Sequence, residues 1–211
     1  MPKIVDHERR RAEIVGAFLT VVAREGLAGA GSRAIAAELG VGAGALWHYF
    51  DSLDSVVSAA YERILELLDA RIEDAAGGRR GLAAVDVTLR EILPVSAESR
   101  DEAQVMVGFW GRLAVSRRPR SAAADAITRW GDPMRRRLGE AVEDGELCPQ
   151  APVAELADVL LSVAIGQQVH AGLGTGTDAG GRPLAMIEHC LAPWRPAQAT
   201  KIQNGWPAGS A

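Results

Sequence analysis

One segment that begins at Ser32, SRAIAAELGVGAGALWHYF, contains the residues whose types and spacing are best suited to chemistry. Arg33, Trp47 and His48 carry N–H groups, and Ser32 and Tyr49 carry hydroxyls, so all five side chains can donate hydrogen bonds. Donors of these kinds bind phosphate oxygens and the acceptor atoms of base edges. The chemistry predicted from this segment is noncovalent recognition of DNA.

The residues just before the aromatic ones are unusually small. Gly42, Ala43 and Ala45 can approach thymine methyl groups but donate no side-chain hydrogen bonds, so base reading is expected to depend on the larger side chains and on DNA shape. The full set of DNA-contacting residues, which the family resemblance given below implies by position, is Ser32, Arg33, Gly42, Ala43, Ala45, Trp47, His48 and Tyr49.

The same segment has the spacing of two short helices that cross closely. Ala36 is small where the second helix must pass, Gly40 follows four positions later and tolerates a positive φ, and Leu46 can lock the second helix against the first. A second helix of about seven residues would be roughly 10 Å long, which suits a major groove about 12 Å wide. Spacing alone leaves an ordinary corner between two helices as the alternative.

The segment resembles the helix-turn-helix of the TetR family of one-component transcriptional regulators. The residues that fall on the family pattern are Ser32, Ile35, Ala36, Leu39, Gly40, Val41, Leu46, Trp47, Tyr49 and Phe50. The resemblance implies a homodimer that binds a palindromic double-stranded DNA operator and is released by a small-molecule effector. A transcriptional activator would look alike in sequence, so the direction of regulation stays open.

One position departs from the family pattern. The family usually has a lysine shortly after the aromatic-phenylalanine pair, where this chain has Leu53, with Asp51 and Asp54 close by. Loss of one phosphate contact predicts weaker DNA binding, because each neutralised phosphate adds to affinity. A helical small-molecule carrier that has lost DNA binding therefore remains a rival interpretation.

Basic residues at the start of the chain could add a further DNA contact. Lys3, Arg9, Arg10 and Arg11 could form an arm that enters the adjacent minor groove. A solvated helix start is an equally good interpretation of the same residues.

The rest of the chain is also helical in its apolar spacing, so the predicted fold class is all-α. A three-helix DNA-binding domain is predicted over residues 1–52 and a larger ligand-binding and dimerisation domain over 53–192, with an irregular tail over 193–211. Ser32 is the expected N-cap of the second helix. Asp51 or Ser52 is the expected N-cap of the fourth predicted helix, which runs from about residue 53 to 75. Pro133 is expected to kink a later helix.

The segment from residue 80 to 175 contains a set of motifs in a fixed order: Ile92-Leu93-Pro94, then Glu98, Arg100 and Glu102, then Phe109-Trp110, Trp130, the turn Gly145-Glu146-Leu147 and a helix over 156–173. With these motifs it resembles the regulatory domain of the BetI-like branch of the same family, which implies an effector cavity between helices. The residues expected to line it are Met106, Phe109, Trp110, Trp130, Met134, Gln167 and His170. The alternative for the methionine and aromatic residues is plain hydrophobic core. Trp110 and Trp130 could stack on a quaternary ammonium such as choline, a ligand that the resemblance to choline-responsive regulators implies.

The last two helices are expected to form the dimer. The segments 153–173 and 184–191 should pack against their twofold copies as a four-helix interface. Small residues, Ala157, Ala164 and Gly166, would let the helices approach closely there.

Composition excludes several other classes of protein. The 211 residues are 48% hydrophobic, which excludes a disordered chain, and the formal net charge is −4, so no overall basic field attracts nucleic acid. Neither a membrane segment nor a signal peptide is recognisable, so a cytoplasmic protein is expected. No cofactor, metal site or catalytic motif is expected, although an all-α enzyme remains the rival from another class.

Overall fold

A computed structural model describes residues 3–115, 121–175 and 181–196, without the side chains of residues 3–5 and 112–128. All regular structure in these ranges is helical, which confirms the predicted all-α fold. The helices are α1 (Lys3–Gly29), α2 (Ser32–Glu38), α3 (Leu53–Ala76), α4 (Gly81–Ile92), α5 (Ala97–Val115), α6 (Ser121–Glu143), α7 (Val153–Gly172) and α8 (Gly181–Leu191). Two 3-10 helices, Ala43–His48 and Ala192–Trp194, complete the described structure.

Helix α1 is interrupted near its end. Gly26 has φ 74° and ψ 169°, which is outside the helical region, and one further turn continues to Gly29. Glycine adopts this positive φ without steric cost, so the helix is interrupted here. The predicted N-cap of α2 is wrong by one residue, because Gly31 occupies that position and Ser32 is the first helical residue.

Helix α3 begins with a capping box. The Ser52 hydroxyl accepts a hydrogen bond from the Ser55 backbone N–H at 3.2 Å, and the Ser55 hydroxyl accepts one from the Ser52 backbone N–H at 3.0 Å. Each bond satisfies a backbone donor that the helix itself leaves without a partner. This geometry confirms the expected cap and fixes the direction in which α3 leaves the N-terminal helices.

Replacing Ser52 with alanine is expected to lower the free energy of unfolding by about 1 kcal/mol, because the cap is lost. Urea unfolding followed by circular dichroism measures this change. Ser58→Ala is the matched control, since the Ser58 hydroxyl only donates back to the Asp54 carbonyl within the helix. An equal loss in both variants would contradict a specific role for the cap.

A single hydrophobic core runs from α1 to α8. Its fully buried members include Phe18 of α1, Leu89 of α4, Met134 of α6 and Leu160 of α7. Helix α3 packs against α1 on one side and against α4 and α5 on the other. It therefore connects the N-terminal helices to the rest of the molecule through a continuous rigid element.

An arginine fork joins three helices at the middle of the molecule. Arg71 of α3 donates to Glu91 of α4 at 3.1 Å and to both carboxylate oxygens of Glu102 of α5 at 3.0 and 2.8 Å. These bonds, led by that to Glu102, raise the pKa of the Arg71 guanidinium. The fork holds α4 and α5 at fixed positions relative to α3.

Helix α6 packs on α4 through a polar contact within the core. The side chain of Arg137 is buried and donates to the Thr88 hydroxyl, and burial lowers its pKa. Pro133 lies inside α6, which continues beyond it to Glu143.

The described part of the tail is ordered against the body of the protein. The Cys148 backbone N–H donates to the Trp194 carbonyl at 2.7 Å, and Arg195 makes two hydrogen bonds of 2.9 Å with Glu188. The remainder of the expected irregular tail, from residue 197, lies outside the described residues. In the described ranges, no helix has both the length and the apolar character that a bilayer crossing requires.

Candidate DNA-binding surface and ligand site

The short 3-10 helix Ala43–His48 is anchored by one apolar side chain. Leu46 is fully buried, and its carbonyl accepts hydrogen bonds from the backbone N–H groups of Tyr49 and Phe50, both at 3.0 Å. The helix has six residues and differs from the predicted α-helix of about seven. Gly44 has a low α-helical propensity, which is consistent with the 3-10 form. Because a 3-10 helix rises about 2.0 Å per residue, these six residues are about as long as the predicted helix of seven residues, and the 3-10 helix is narrower than an α-helix.

The turn before this helix has the predicted geometry. Gly40 has φ 66°, and the backbone N–H of Val41 donates to the Ala36 carbonyl at 2.9 Å. Ala36 is buried, as a close crossing of the two helices requires. The predicted spacing of small residue, turn glycine and anchoring leucine is therefore that of the folded protein.

The predicted DNA-contacting residues are all at least partly accessible to solvent. Trp47 is 43% exposed, a high value for tryptophan, and His48 and Arg33 are also exposed. Gly42 is exposed as well. The remaining members of the set are half-buried: Ser32, Ala43, Ala45 and Tyr49.

Arg11 of α1 contacts the two residues that follow the 3-10 helix. Its guanidinium carbon lies 4.0 Å from the centre of the Phe50 ring, and the group donates a hydrogen bond to the Tyr49 carbonyl. The Tyr49 ring also lies against the His7 ring, with 5.1 Å between their centres. These contacts join α1 to the end of the 3-10 helix.

The predicted basic arm is not a separate arm. The chain is helical from Lys3, and Arg9 and Arg10 pair with acids of the same helix, at 2.7 Å to Asp6 and 2.6 Å to Glu13. Ion pairing within α1 competes with minor-groove insertion. The solvated helix start is the better interpretation.

At the departure from the family pattern, Leu53 is half-buried and packs against the core. Ser52 and Ser55 supply the helix cap at this point, so no lysine is needed for it. Asp51 is exposed beside them. The structure thus has an apolar contact and a negative charge where the pattern has a phosphate-binding cation.

Arg33 is exposed and makes no ion pair with a described residue, so it is available to a phosphate or a base. Arg33→Ala is expected to weaken DNA binding about three- to tenfold and to reduce the salt slope of log K by about 1 if the contact is to phosphate. Titrations at several salt concentrations measure both quantities. Arg63→Ala removes the same charge from an exposed site on α3, and an equal effect there would contradict the assignment.

An aromatic cluster of three residues, Tyr61, Phe109 and Trp110, lies between α3 and α5. The Tyr61 and Phe109 rings are stacked, with 3.6 Å between centres and an interplanar angle of 10°. Trp110 meets Tyr61 edge to face at 5.8 Å and Phe109 at 6.0 Å. Tyr61 is the member that the sequence analysis missed, although it occupies an inward position of α3.

The other aromatic residue of the predicted cavity is held by an acid on α3. The Trp130 indole N–H lies 3.4 Å from a carboxylate oxygen of Asp69, and Arg129 binds the same carboxylate. Met106 and Met134 are fully buried in the core. These positions agree with either a cavity lining or plain core packing.

Two polar residues predicted to line the cavity lie elsewhere. Gln167 is half-buried and contacts the Met186 sulfur of α8 at 3.9 Å, while His170 is exposed and bonds the Thr175 hydroxyl at 3.0 Å. The inward polar residue of α7 is Gln168, which donates to the Ile92 carbonyl at 3.0 Å. The helical period of 3.6 residues places adjacent positions about 100° apart, which accounts for the difference.

Three surface clefts are formed by other residues. One of about 420 Å³ lies between α4 and α8, one of about 360 Å³ between α1, α3 and α5, and one of about 140 Å³ beside the 3-10 helix. The last includes the predicted contact residues Ala45, His48 and Tyr49. In the described ranges, no group of three His, Cys, Asp or Glu side chains is arranged to hold a metal ion.

Comparison with known proteins matches two segments of the chain. Residues 14–60 match the bacterial regulatory proteins of the tetR family, and residues 82–193, more than half of the chain, match the C-terminal domain of BetI-type transcriptional repressors. Both families consist of transcriptional regulators and not of enzymes.

Individual relatives agree with the family. The chain is 37% identical over 112 residues to the HTH-type transcriptional regulator PksA of Bacillus subtilis, covering 52% of this chain and 54% of that protein. It is 30% identical over 119 residues to the regulator BetI of Burkholderia mallei, covering 53% and 58%. The matched part is thus little more than half of either relative's length.

A solved structure shows the same fold. A transcriptional regulator from Saccharomonospora viridis in complex with choline superposes with a TM-score of 0.73 at 21% identity, covering 87% of this chain and 94% of that one. The helix-turn-helix geometry, the all-α body and the two family matches lead to one conclusion. The chain belongs to the TetR family of bacterial transcriptional regulators, with a C-terminal domain of the BetI type.

Proposed function

We propose that this protein is a homodimeric transcriptional repressor that binds a palindromic operator and is released by a small-molecule effector. Residues 1–52 bind DNA in this proposal, and residues 53–192 hold the effector and form the dimer. The observation that carries it is the exposure of Trp47 and His48 on the 3-10 helix anchored by the fully buried Leu46, with Arg33 exposed on the preceding helix α2.

The outer face of α7 supports the dimer. Val159, Val163, Gly166, His170 and Leu173 recur at spacings of four and three residues, and none of them is fully buried. Leu173 is 69% exposed, which is unusual for leucine in a monomer. An apolar stripe with this period is typical of helices that pack against a twofold copy.

Helix α8 extends the same apolar surface. Met186 is 41% exposed and lies against Gln167 of α7. Two small residues expected at this interface, Ala157 and Ala164, are instead fully buried within the chain. Gly166 is the member of that group on the accessible face, so close approach of the copies depends on it.

The effector is assigned to the region around the aromatic cluster. Helix α3 starts beside the DNA-binding turn and reaches Tyr61 after eight residues, which is about 12 Å at 1.5 Å per residue. A second connection exists where Gln104 of α5 accepts a hydrogen bond from the Leu27 backbone N–H of α1 at 3.3 Å. A ligand that displaces α3 or α5 can therefore change the spacing of the two DNA-binding turns.

The second candidate function is a ligand-binding protein with weakened DNA binding. Leu53 and the exposed Asp51 favour it, because they replace an expected positive charge with an apolar and an acidic group. This candidate predicts the same dimer and the same ligand site without a measurable operator complex.

A gel-shift titration with the DNA upstream of the protein's own gene tests the proposal. At about 50 mM salt a regulator is expected to form a discrete complex that weakens steeply by about 200 mM, and to compete effectively against unrelated DNA. A reporter fused to the bound region then separates repression from activation. Absence of binding at low salt would favour the carrier instead.

A further inference from the structure

Two polar atoms of the aromatic cluster are buried without a hydrogen-bond partner among the described residues. They are the Tyr61 hydroxyl oxygen and the Trp110 indole Nε1. Tyr61 is only 4% exposed, so its hydroxyl is removed from bulk water. A buried donor without a partner destabilises a folded protein, and native structures contain few of them.

Both atoms act as donors. The indole N–H can only donate, and burial raises the pKa of Tyr61, an effect that the charge of Arg129 only partly opposes. The hydroxyl therefore keeps its proton at neutral pH. An acceptor on a ligand would therefore satisfy both donors.

The ring faces are poorly placed to hold a cation. Phe109 covers one face of Tyr61 in the stacked pair, and Trp110 contacts both rings in edge-to-face geometry. A quaternary ammonium needs an open ring face within about 6 Å. The geometry of this cluster favours hydrogen bonding to a ligand over enclosure of a positive charge.

Arg129, whose charge acts on Tyr61, does not require an anionic ligand. Arg129 already binds the Asp69 carboxylate. A carboxylate on the ligand would then be buried without a free cation, which is costly.

We propose that the effector is an uncharged molecule with a planar apolar body and carbonyl-type oxygens, which accept hydrogen bonds from Tyr61 and Trp110. This inference rests on the proposed function for the location of the effector and adds its chemical class. A carbonyl oxygen has two lone pairs, so one or two such atoms can satisfy both donors.

The first test needs no ligand. If the Tyr61 hydroxyl has no partner in the free protein, Tyr61→Phe removes an unsatisfied donor and is expected to leave the melting temperature unchanged or to raise it. A fall of about 2–4 °C or more would reveal a structural hydrogen bond and overturn the inference.

The second test uses two probes of the same shape. Acetophenone carries a carbonyl acceptor, while 1-phenylethylamine, protonated at pH 7, has a cationic donor at the equivalent position. Titrations of protein with ¹⁵N-labelled tryptophan follow the indole N–H signals, and Trp110→Phe identifies the relevant signal. Trp194→Phe is the matched control, since Trp194 lies in the 3-10 helix after α8.

Acetophenone is expected to bind at millimolar concentration, to move the Trp110 signal and to bind about five- to tenfold more weakly to Tyr61→Phe. The amine and choline are expected to leave that signal in place. Equal or stronger binding of either cation, unchanged acetophenone affinity in Tyr61→Phe, or no acetophenone shift at about 10 mM would each overturn the inference. Operator binding without probe is measured separately, so its loss would overturn only the proposed function.

Discussion

Replacing Leu173 with aspartate is expected to dissociate the proposed homodimer and to lower its affinity for the proposed operator by at least about 100-fold. Leu173 is 69% exposed in the single chain and ends the apolar stripe of α7. In the proposed dimer the new carboxylate would be buried against the partner without a cation to pair with. A monomer contacts one half-site and loses the contacts of the second.

Sedimentation velocity measures the mass of the variant, and a gel-shift titration measures its affinity. Leu67→Asp is the matched control, because Leu67 is an exposed leucine of α3 outside the proposed interface. The control is expected to remain dimeric. A dimeric Leu173→Asp protein, or dissociation in both variants, would place the interface elsewhere.

Leu46→Ala is expected to destabilise the fold by about 2–5 kcal/mol and to abolish operator binding. The leucine is fully buried beneath the 3-10 helix and its carbonyl accepts two backbone hydrogen bonds. The cavity left by truncation would release Trp47 and His48 from the orientation that DNA requires. Thermal unfolding and a gel-shift titration measure the two effects.

Leu46→Met keeps the volume of the side chain and is expected to cost less than about 1.5 kcal/mol, so it tests the role of packing in a variant that still folds. Val41→Ala shortens an exposed apolar side chain of the same turn and serves as the surface control. Operator binding by Leu46→Ala at wild-type affinity would show that the 3-10 helix does not present the contact residues.

Much of the DNA-binding unit is predictable from sequence because its constraints are local. Ala36, Gly40 and Leu46 are separated by four and six residues, and each satisfies a requirement of backbone conformation or close packing that short-range spacing expresses. The cap at Ser52 has the same local origin. The roles assigned to the exposed residues of this unit stay predictions.

The ligand site is less predictable because it depends on the rotation of each helix about its axis. Gln167 and Gln168 are adjacent in sequence, yet only Gln168 faces the core. On α3, Leu67 is exposed, whereas Tyr61 is buried against α5. A helix that is apolar on most of its surface does not specify which stripe is covered.

The sequence by itself determined the helical class, the helix-turn-helix and the family, since these depend on periodicity and on residues within a few turns of one another. The tertiary structure alone decided that Arg11 supports the Phe50 ring and that Tyr61, Phe109 and Trp110 form one cluster. Arg11 is 39 positions from Phe50, and Tyr61 is 48 positions from Phe109. Contacts over such separations follow from how whole helices pack together, which local spacing does not encode.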